Sequence, residues 1–540
     1  MLPFFSKSRW SLDDVAPTWG GSESIYEYLR RTPDAGSLPD EPEVRKKCKF
    51  GWVGGAWDGV FGGASGGTEA NKKIFELIEA IRNLVKHSSG STFAQLYNLL
   101  VEDSILPYID EFLKQIEQKH DPTDKLRILE VGKYLATRAP HREAVKFGLA
   151  LIGMYGTEQE KEILKTLGRN DEFTLYAALA IARVSEDPER ELWEMAKGVH
   201  GWGRVQIVRR LEDTQNKEIQ AWMLREGFRN QIMDEYLACI CARAGKLHEA
   251  LGQQFVDEEL LDAATDILRA LLHGSGPAEG MDDYEHGADT CESYINIVWA
   301  HEEKKIGHFL TVADLRRFLS QTDGWEKRTR TGWTEPRRRE MSALCDDILA
   351  RKEWKAVVMR SLGSHDQRIF FDADTAAGVL GIDTWEVHFE RVKATPINSS
   401  SWYGLMRQTN ENRIGQVLEF AESALPLVKI ATGPKDELGM GPEFALHGTL
   451  DWLLQDLKRF PNRGWKLISA GLKSPVVRNR NMAIQALGAW TRDSWTEEIV
   501  ETVKRAREEE PREDVRQRLT NLFNGRLITI NRDDTNWREQ

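Results

Sequence analysis

Three clusters of titratable side chains have the residue types for chemistry. His301 and His308 stand seven residues apart in HEEKKIGH, with Glu302 and Glu303 beside the first. Imidazole and carboxylate groups ligate metals such as zinc. Two turns of one helix, however, set the two rings too far apart to chelate a single ion unaided. His365 and Asp366 precede Asp372 and Asp374 in HDQRIFFDAD. A metal-activated hydrolase uses such groups, and a solvated turn is the simpler reading. Asp283, Glu285 and His286 lie in a Gly- and Asp-rich stretch where a cation could sit. None of the three is assigned as a metal site. The basic run KRTRTGWTEPRRR, Lys327 to Arg339, carries six Lys/Arg. It suits a phosphate-bearing partner, or simply a solvated face. Trp193, Trp202 and Trp222 recur in a helical region and read as core rather than as a stacking platform.

Other chemistries lack their signatures. Gly274, Gly276 and Gly280 have the wrong spacing for a dinucleotide fingerprint, Pro277 interrupts them, and no strand precedes them. No Gly-rich stretch ends in Gly-Lys-Ser/Thr, so there is no phosphate-cradling P-loop. Cys48, with Arg45 before it and Gly51 after it, does not match a haem-thiolate loop. No pair of Glu-x-x-His motifs announces a di-iron bundle. The five cysteines (Cys48, Cys239, Cys241, Cys291, Cys345) contain no CxxC and read as free thiols in a reducing cytosol.

The chain of 540 residues has 73 Lys+Arg against 85 Asp+Glu, a net charge of −12. That balance, with a pI near 5.6, argues against nucleic acid, whose phosphates need a basic face. Hydrophobic residues at 41% supply a sizeable core. MLPFFSKSRW is not a signal peptide, and the longest apolar run, Leu175 to Val184, is too short to span a membrane. A cytoplasmic protein is expected.

Helices must position all of these groups, because almost no alternating strand pattern is present. Ser24 to Arg31 predicts a short helix within an otherwise irregular start. Gly51 to Gly67 holds eight glycines among seventeen residues, interleaved with Trp52, Trp57 and Phe61. It reads as a linker whose aromatics tuck onto the next helix, or as a hydrophobic contact for a ligand or partner. Ile74, Leu77, Ile78, Ile81, Leu84 and Val85 then recur at helical steps. From residue 140 a repeat begins. Leu149, Leu179, Val208 and Leu237 mark four apolar segments 30, 29 and 29 residues apart, with second helical stretches such as Glu158 to Leu167 and Lys217 to Leu224 between them. Two helices per period of about thirty predict an α-solenoid, and Gly148, Ala150, Ala178, Ala180 and Ala238 suit close helix contacts. Ser474 to Trp490, SPVVRNRNMAIQALGAW, resembles a HEAT-type repeat helix. Ser474 reads as its cap, Pro475 as its first position, and Met482, Ala483, Ala486 and Leu487 as its apolar face. Glu508 to Asp514, EEEPRED, reads as a solvated turn.

The expected fold is therefore all-α, a solenoid of HEAT-like helix pairs behind an irregular Gly/Trp-rich N-terminal segment. Its expected parts are the segment 1–70, repeats over 71–272, a loop at 273–290, a helical middle region 291–430, a loop at 431–447, and HEAT-like helices over 448–540.

MLPFFSKSRW and FGWVGGAWDGVFGG, Phe50 to Gly63, resemble a bacillus-type bacterial family, the limonene hydroxylases. The resemblance implies a monooxygenase that hydroxylates the monoterpene limonene at allylic carbons, giving carveol and perillyl alcohol. It also implies oxygen and reduced nicotinamide, NADH or NADPH. It assigns no catalytic or cofactor-binding residue, and oxygen activation needs a flavin, haem, copper or non-haem iron whose ligands the sequence does not reveal. On the residues alone, the alternative is a non-catalytic helical-repeat scaffold that binds a protein partner.

Overall fold

The computed structural model describes residues 10–12, 15, 19–32, 38, 39, 41, 42, 68–117, 122–274 and 276–526. The Gly/Trp run at 51–67, Cys48 and most of MLPFFSKSRW lie outside them. The fold is all-α: among the described residues there are helices and one isolated bridge, Glu437 to Val476. The chain divides into two compact units, Met1–Trp354 and Lys355–Gln540. The division falls inside the helix Glu353–Leu362, within the expected middle region 291–430.

In the first unit, the predicted short helix runs over Ile25–Arg31, and Ser24 caps it by accepting the Glu27 N–H. The helix Thr68–Lys86 buries Ile74, Leu77, Ile78, Ile81, Leu84 and Val85. The repeats follow. Helices Pro122–Arg138, Arg142–Tyr155, Asp171–Val184, Gly201–Val208, Glu235–Ala244, Glu258–His273, Ile306–Ser320 and Glu335–Leu349 form one layer, each against the next. Shorter helices, among them Lys161–Gly168 and Pro188–Gly198, form a second layer behind it.

The period comes from how these helices begin. His141, Asn170 and His200 are N-caps 29 and 30 residues apart. Asn230, a further 30 residues on, turns the chain by accepting the N–H groups of Ile232 and Met233 at 2.9 Å. Neighbouring repeats complete one another's ends. The Asp171 carboxylate accepts the N–H groups of Trp202 and Gly203, and the Gly201 N–H donates to the Asn230 carbonyl. Gly201 has φ +61°, and a Cβ there would lie 2.0 Å from the Asp171 carboxylate, so only glycine fits. Close approach sets the spacing between helices: a Cβ on Gly148 would stand 2.7 Å from the Ala136 nitrogen and the Gly132 oxygen.

Counting from the caps corrects the register read from sequence. The equivalent buried positions are Leu149, Ala178, Val208 and Ala238, all fully buried. Leu237 is buried too, but Leu179 is 46% exposed. The first two caps are 29 residues apart, so Leu179 stands one residue, about 100° of helix, beyond the inward position. Trp193, Trp202 and Trp222, expected in the core, are only half-buried. They are large rings at layer edges that take cations or another ring: Lys197 over Trp193 (4.2 Å), Arg204 over Trp222 (5.7 Å) and Tyr236 against Trp202 (5.2 Å). The expected loop 273–290 ends sooner, because the helix Gly287–Ala300 buries Ala288, Thr290 and Cys291.

In the second unit, Trp402, Leu405, Val417, Leu453, Leu457, Ile468, Ile484 and Leu487 belong to a shared core. The expected loop 431–447 also ends early, at a 3-10 turn followed by the helix Ala445–Leu457. The helix predicted from Pro475 starts at Val477, with Val476 as N-cap. Ser474 instead holds a buried network: its hydroxyl accepts the Val476 N–H, donates to Asn479 Oδ1 at 2.7 Å, and lies 3.0 Å from His447 Nδ1. Met482, Ala483, Ala486 and Leu487 form the buried face as predicted. Glu510, expected in a solvated turn, is buried and grips Arg480 through both oxygens at 2.6 and 2.8 Å.

Candidate partner-binding face

His301 and His308 do not share a helix. His301 caps the C-terminus of Gly287–Ala300 and His308 lies in Ile306–Ser320, so the intervening turn brings their rings to 5.6 Å. Glu302 and Glu303 are exposed and point elsewhere, and the acids that meet these rings are Glu258, 3.2 Å from His301, and Asp262, 3.6 Å from His308. Lys305 occupies the centre, bonded to both Asp262 oxygens. Burial pushes the His308 imidazole down to about 4, against the pull of Asp262. The cluster is a lysine-filled clasp between helices.

His365, Asp366, Asp372 and Asp374 are not brought together as one site. His365 is exposed, and Asp366 caps the helix Gln367–Val379 through the Arg368 and Ile369 N–H groups. Asp374 turns inward to Thr384 (2.7 Å), His388 (2.9 Å) and Gln408 (3.3 Å). Burial pushes its carboxyl up, but these hydrogen bonds outweigh burial and hold it below the usual value. At Asp283, Glu285 and His286 the cation is the protein's own Arg243, which donates to Glu279, to Glu285 and to the Asp283 carbonyl. His286 stacks on His248 with centroids 3.6 Å apart.

The arginines of the basic run are likewise taken up by the chain's own acids and carbonyls, some buried and some at the surface. Arg328 makes a two-point bond to Asp282 and lies 3.9 Å over Phe318. Arg337 pairs with Asp289 and Glu292, Arg338 bonds the Leu319 and Gln321 carbonyls, and Arg339 and Arg330 pair with Glu335 and Glu326. Cys239, Cys241, Cys291 and Cys345 are buried free thiols. Burial pushes Cys239 and Cys345 up to about 12, far from thiolate reactivity. Among the described residues no three His, Cys, Asp or Glu side chains converge as metal ligands.

What the first unit offers to solvent is a surface. The outward positions of Asp171–Val184 include Leu175 and Leu179, those of Gly201–Val208 include Trp202, and those of Glu235–Ala244 include Tyr236 and Ile240. Exposed Ile232 and Met233 adjoin the last of these. The Trp202–Tyr236 contact joins two successive helices, and a groove of about 300 Å³ beside it has Tyr236, Ile240 and Pro277 in its lining together with Arg209, Glu212, Glu235 and Glu279. Sequence reasoning missed this face because it assigned Leu179 and Trp202 to the interior. No helix among the described residues is long and apolar enough to cross a membrane. No family model and no curated protein matches the chain.

Proposed function

We propose that this chain is a helical-repeat scaffold that binds a protein partner along the face carrying Leu175, Leu179, Trp202, Tyr236 and Ile240. The supporting observation is that apolar and aromatic side chains occupy outward positions on three successive helices. Apolar side chains left at the surface mark interaction sites where they adjoin, as Trp202 and Tyr236 do, and repeat arrays bind partners along extended faces. The test uses the full chain and its L179D/Y236D variant as baits. One protein should co-elute stoichiometrically with the native chain and be released from the variant. Identical capture by both would remove the reading.

A second reading rests on the resemblance of MLPFFSKSRW and FGWVGGAWDGVFGG to the limonene hydroxylases. On that reading the chain is a limonene monooxygenase. One oxygen atom enters an allylic C–H bond, and the other is reduced to water by two electrons from reduced nicotinamide. Purified protein is incubated with limonene, oxygen and NADH or NADPH, with and without added reductases and metals, and the products are separated by gas chromatography. Carveol or perillyl alcohol supports the reading, and their absence in every arm removes it. An absorption spectrum with metal analysis asks directly for the redox centre.

A further inference from the structure

The unit Lys355–Gln540 has an open groove of about 760 Å³ near its C-terminal end. Trp490, Trp495 and Leu522 give it apolar walls, and Lys458, Arg492 and Arg526 stand around it. Among the described residues no carboxylate lines it, although the chain as a whole carries −12. None of the three cations is in an ion pair with a described residue, unlike most arginines of the basic run in the first unit. Arg492 spreads instead over the Trp495 and Phe523 rings, at 4.0 and 4.7 Å.

The indole N–H groups of Trp490 and Trp495 are shut off from solvent and have no acceptor among the described residues. Those of Trp354, Trp385 and Trp402 each find one, at 2.7, 3.0 and 2.7 Å. A buried donor left unmade costs about 1–3 kcal/mol, but these two, like that of Trp193, are closed to the groove, so the rings offer a ligand their faces and not their N–H groups.

We propose that this groove binds a small anion with a flat apolar body, such as an aryl carboxylate or aryl phosphate. The ring would lie among Trp490, Trp495 and Leu522, and the anionic head would meet Arg492 and its neighbouring cations. Guanidinium groups match carboxylate and phosphate geometry, and the groove has the volume of a small-molecule site. The competing occupant is the chain's own segment after Arg526, whose Asp533 and Asp534 stand between Arg532 and Arg538.

The test is calorimetric titration of the full chain with 2-naphthoate, 1-naphthyl phosphate and neutral 2-naphthalenemethanol, followed also in the ¹⁵N-indole spectrum. One anion per chain should bind, at least tenfold more tightly than the neutral alcohol, and shift the two indole signals assigned by W490F and W495F. R492Q and, separately, K458Q should each weaken the anion, R492Q by tenfold or more, without lowering the melting temperature. Equal affinity for anion and alcohol, or indole signals that do not move, would overturn the proposal. So would binding that appears only in full-length D533N/D534N, which would give the groove to the chain's own carboxylates.

Discussion

Arg204 in the first unit and Arg480 in the second are both buried and both tie successive helix pairs together, but they are neutralised differently. Among the described residues Arg204 forms no ion pair with a carboxylate. It donates to the carbonyls of Ala196 and Val199 at the end of Pro188–Gly198, and to those of Glu226 and Arg229 at the end of the π turn Met223–Gly227. The carbonyls of two helix ends, each the negative pole of its dipole, surround one guanidinium. Arg480 takes the carbonyls of Ser474 and Pro475 at 2.9 Å but balances its charge against Glu510, thirty residues away. Backbone dipoles are available at any helix end. A buried carboxylate has to be encoded.

That difference can be broken most severely at Arg480. Arg480→Ala strands a buried Glu510 charge and should cost about 3–5 kcal/mol, read from the denaturation midpoint. The double change R480M/E510L removes both charges and should recover most of that loss; if it is as unstable as the single variant, the pair is not the cause.

Two buried carboxyls sharpen the comparison next. Burial pushes Asp451 and Asp171 up to about 6, although Arg478 and Asn479 oppose it at Asp451 and two backbone N–H groups oppose it at Asp171. Both hold their proton more tightly folded than unfolded. Their favourable contribution is complete below the unfolded value near 3.8 and is lost as the pH rises through about 6. For the more deeply buried Asp451, about two pK units make this at most about 3 kcal/mol. D451N should therefore flatten the fall in stability between pH 4 and 6.5, and an unchanged slope would refute the assignment.

Arg204→Met should cost about 2 kcal/mol, less than Arg480→Ala, because it leaves neutral carbonyls rather than a charge. A loss equal to that of Arg480→Ala would erase the distinction between the two arginines. The smallest effects concern spacing. Gly148→Ala forces a methyl against backbone and should cost about 1–2 kcal/mol. Gly448→Ala, inside Ala445–Leu457 with nothing within 4 Å of its new methyl, should gain about 0.5–1 kcal/mol.

The helical repeat was legible because apolar segments about thirty residues apart, with small residues among them, recur in the sequence itself. The register slipped at Leu179 because equal spacing between apolar residues ignores where each helix begins. Ser474 was misread for a related reason: a hydroxyl before an apolar run resembles a cap, yet His447 and Asn479, distant or downstream in sequence, claim it. Glu510 sat in a charge run that reads as solvated, and its partner's identity is a tertiary fact. His301 and His308 were judged on one continuous helix, and the break between them changed their separation. The groove at Trp490 and Trp495 had no local signature, since its walls come from three separate segments around 458, 485–495 and 522–526.

Asp171 finishes the first turn of the helix that follows its own, and Asn230 receives the amide that opens the helix before it. A single repeat cut out of the array would carry bare amides at one edge and idle acceptors at the other, so it has no free-standing form. Such an array changes length without exposing these groups either by a whole period or by a few residues in the connecting turns, as the unequal cap spacings of 29 and 30 residues show.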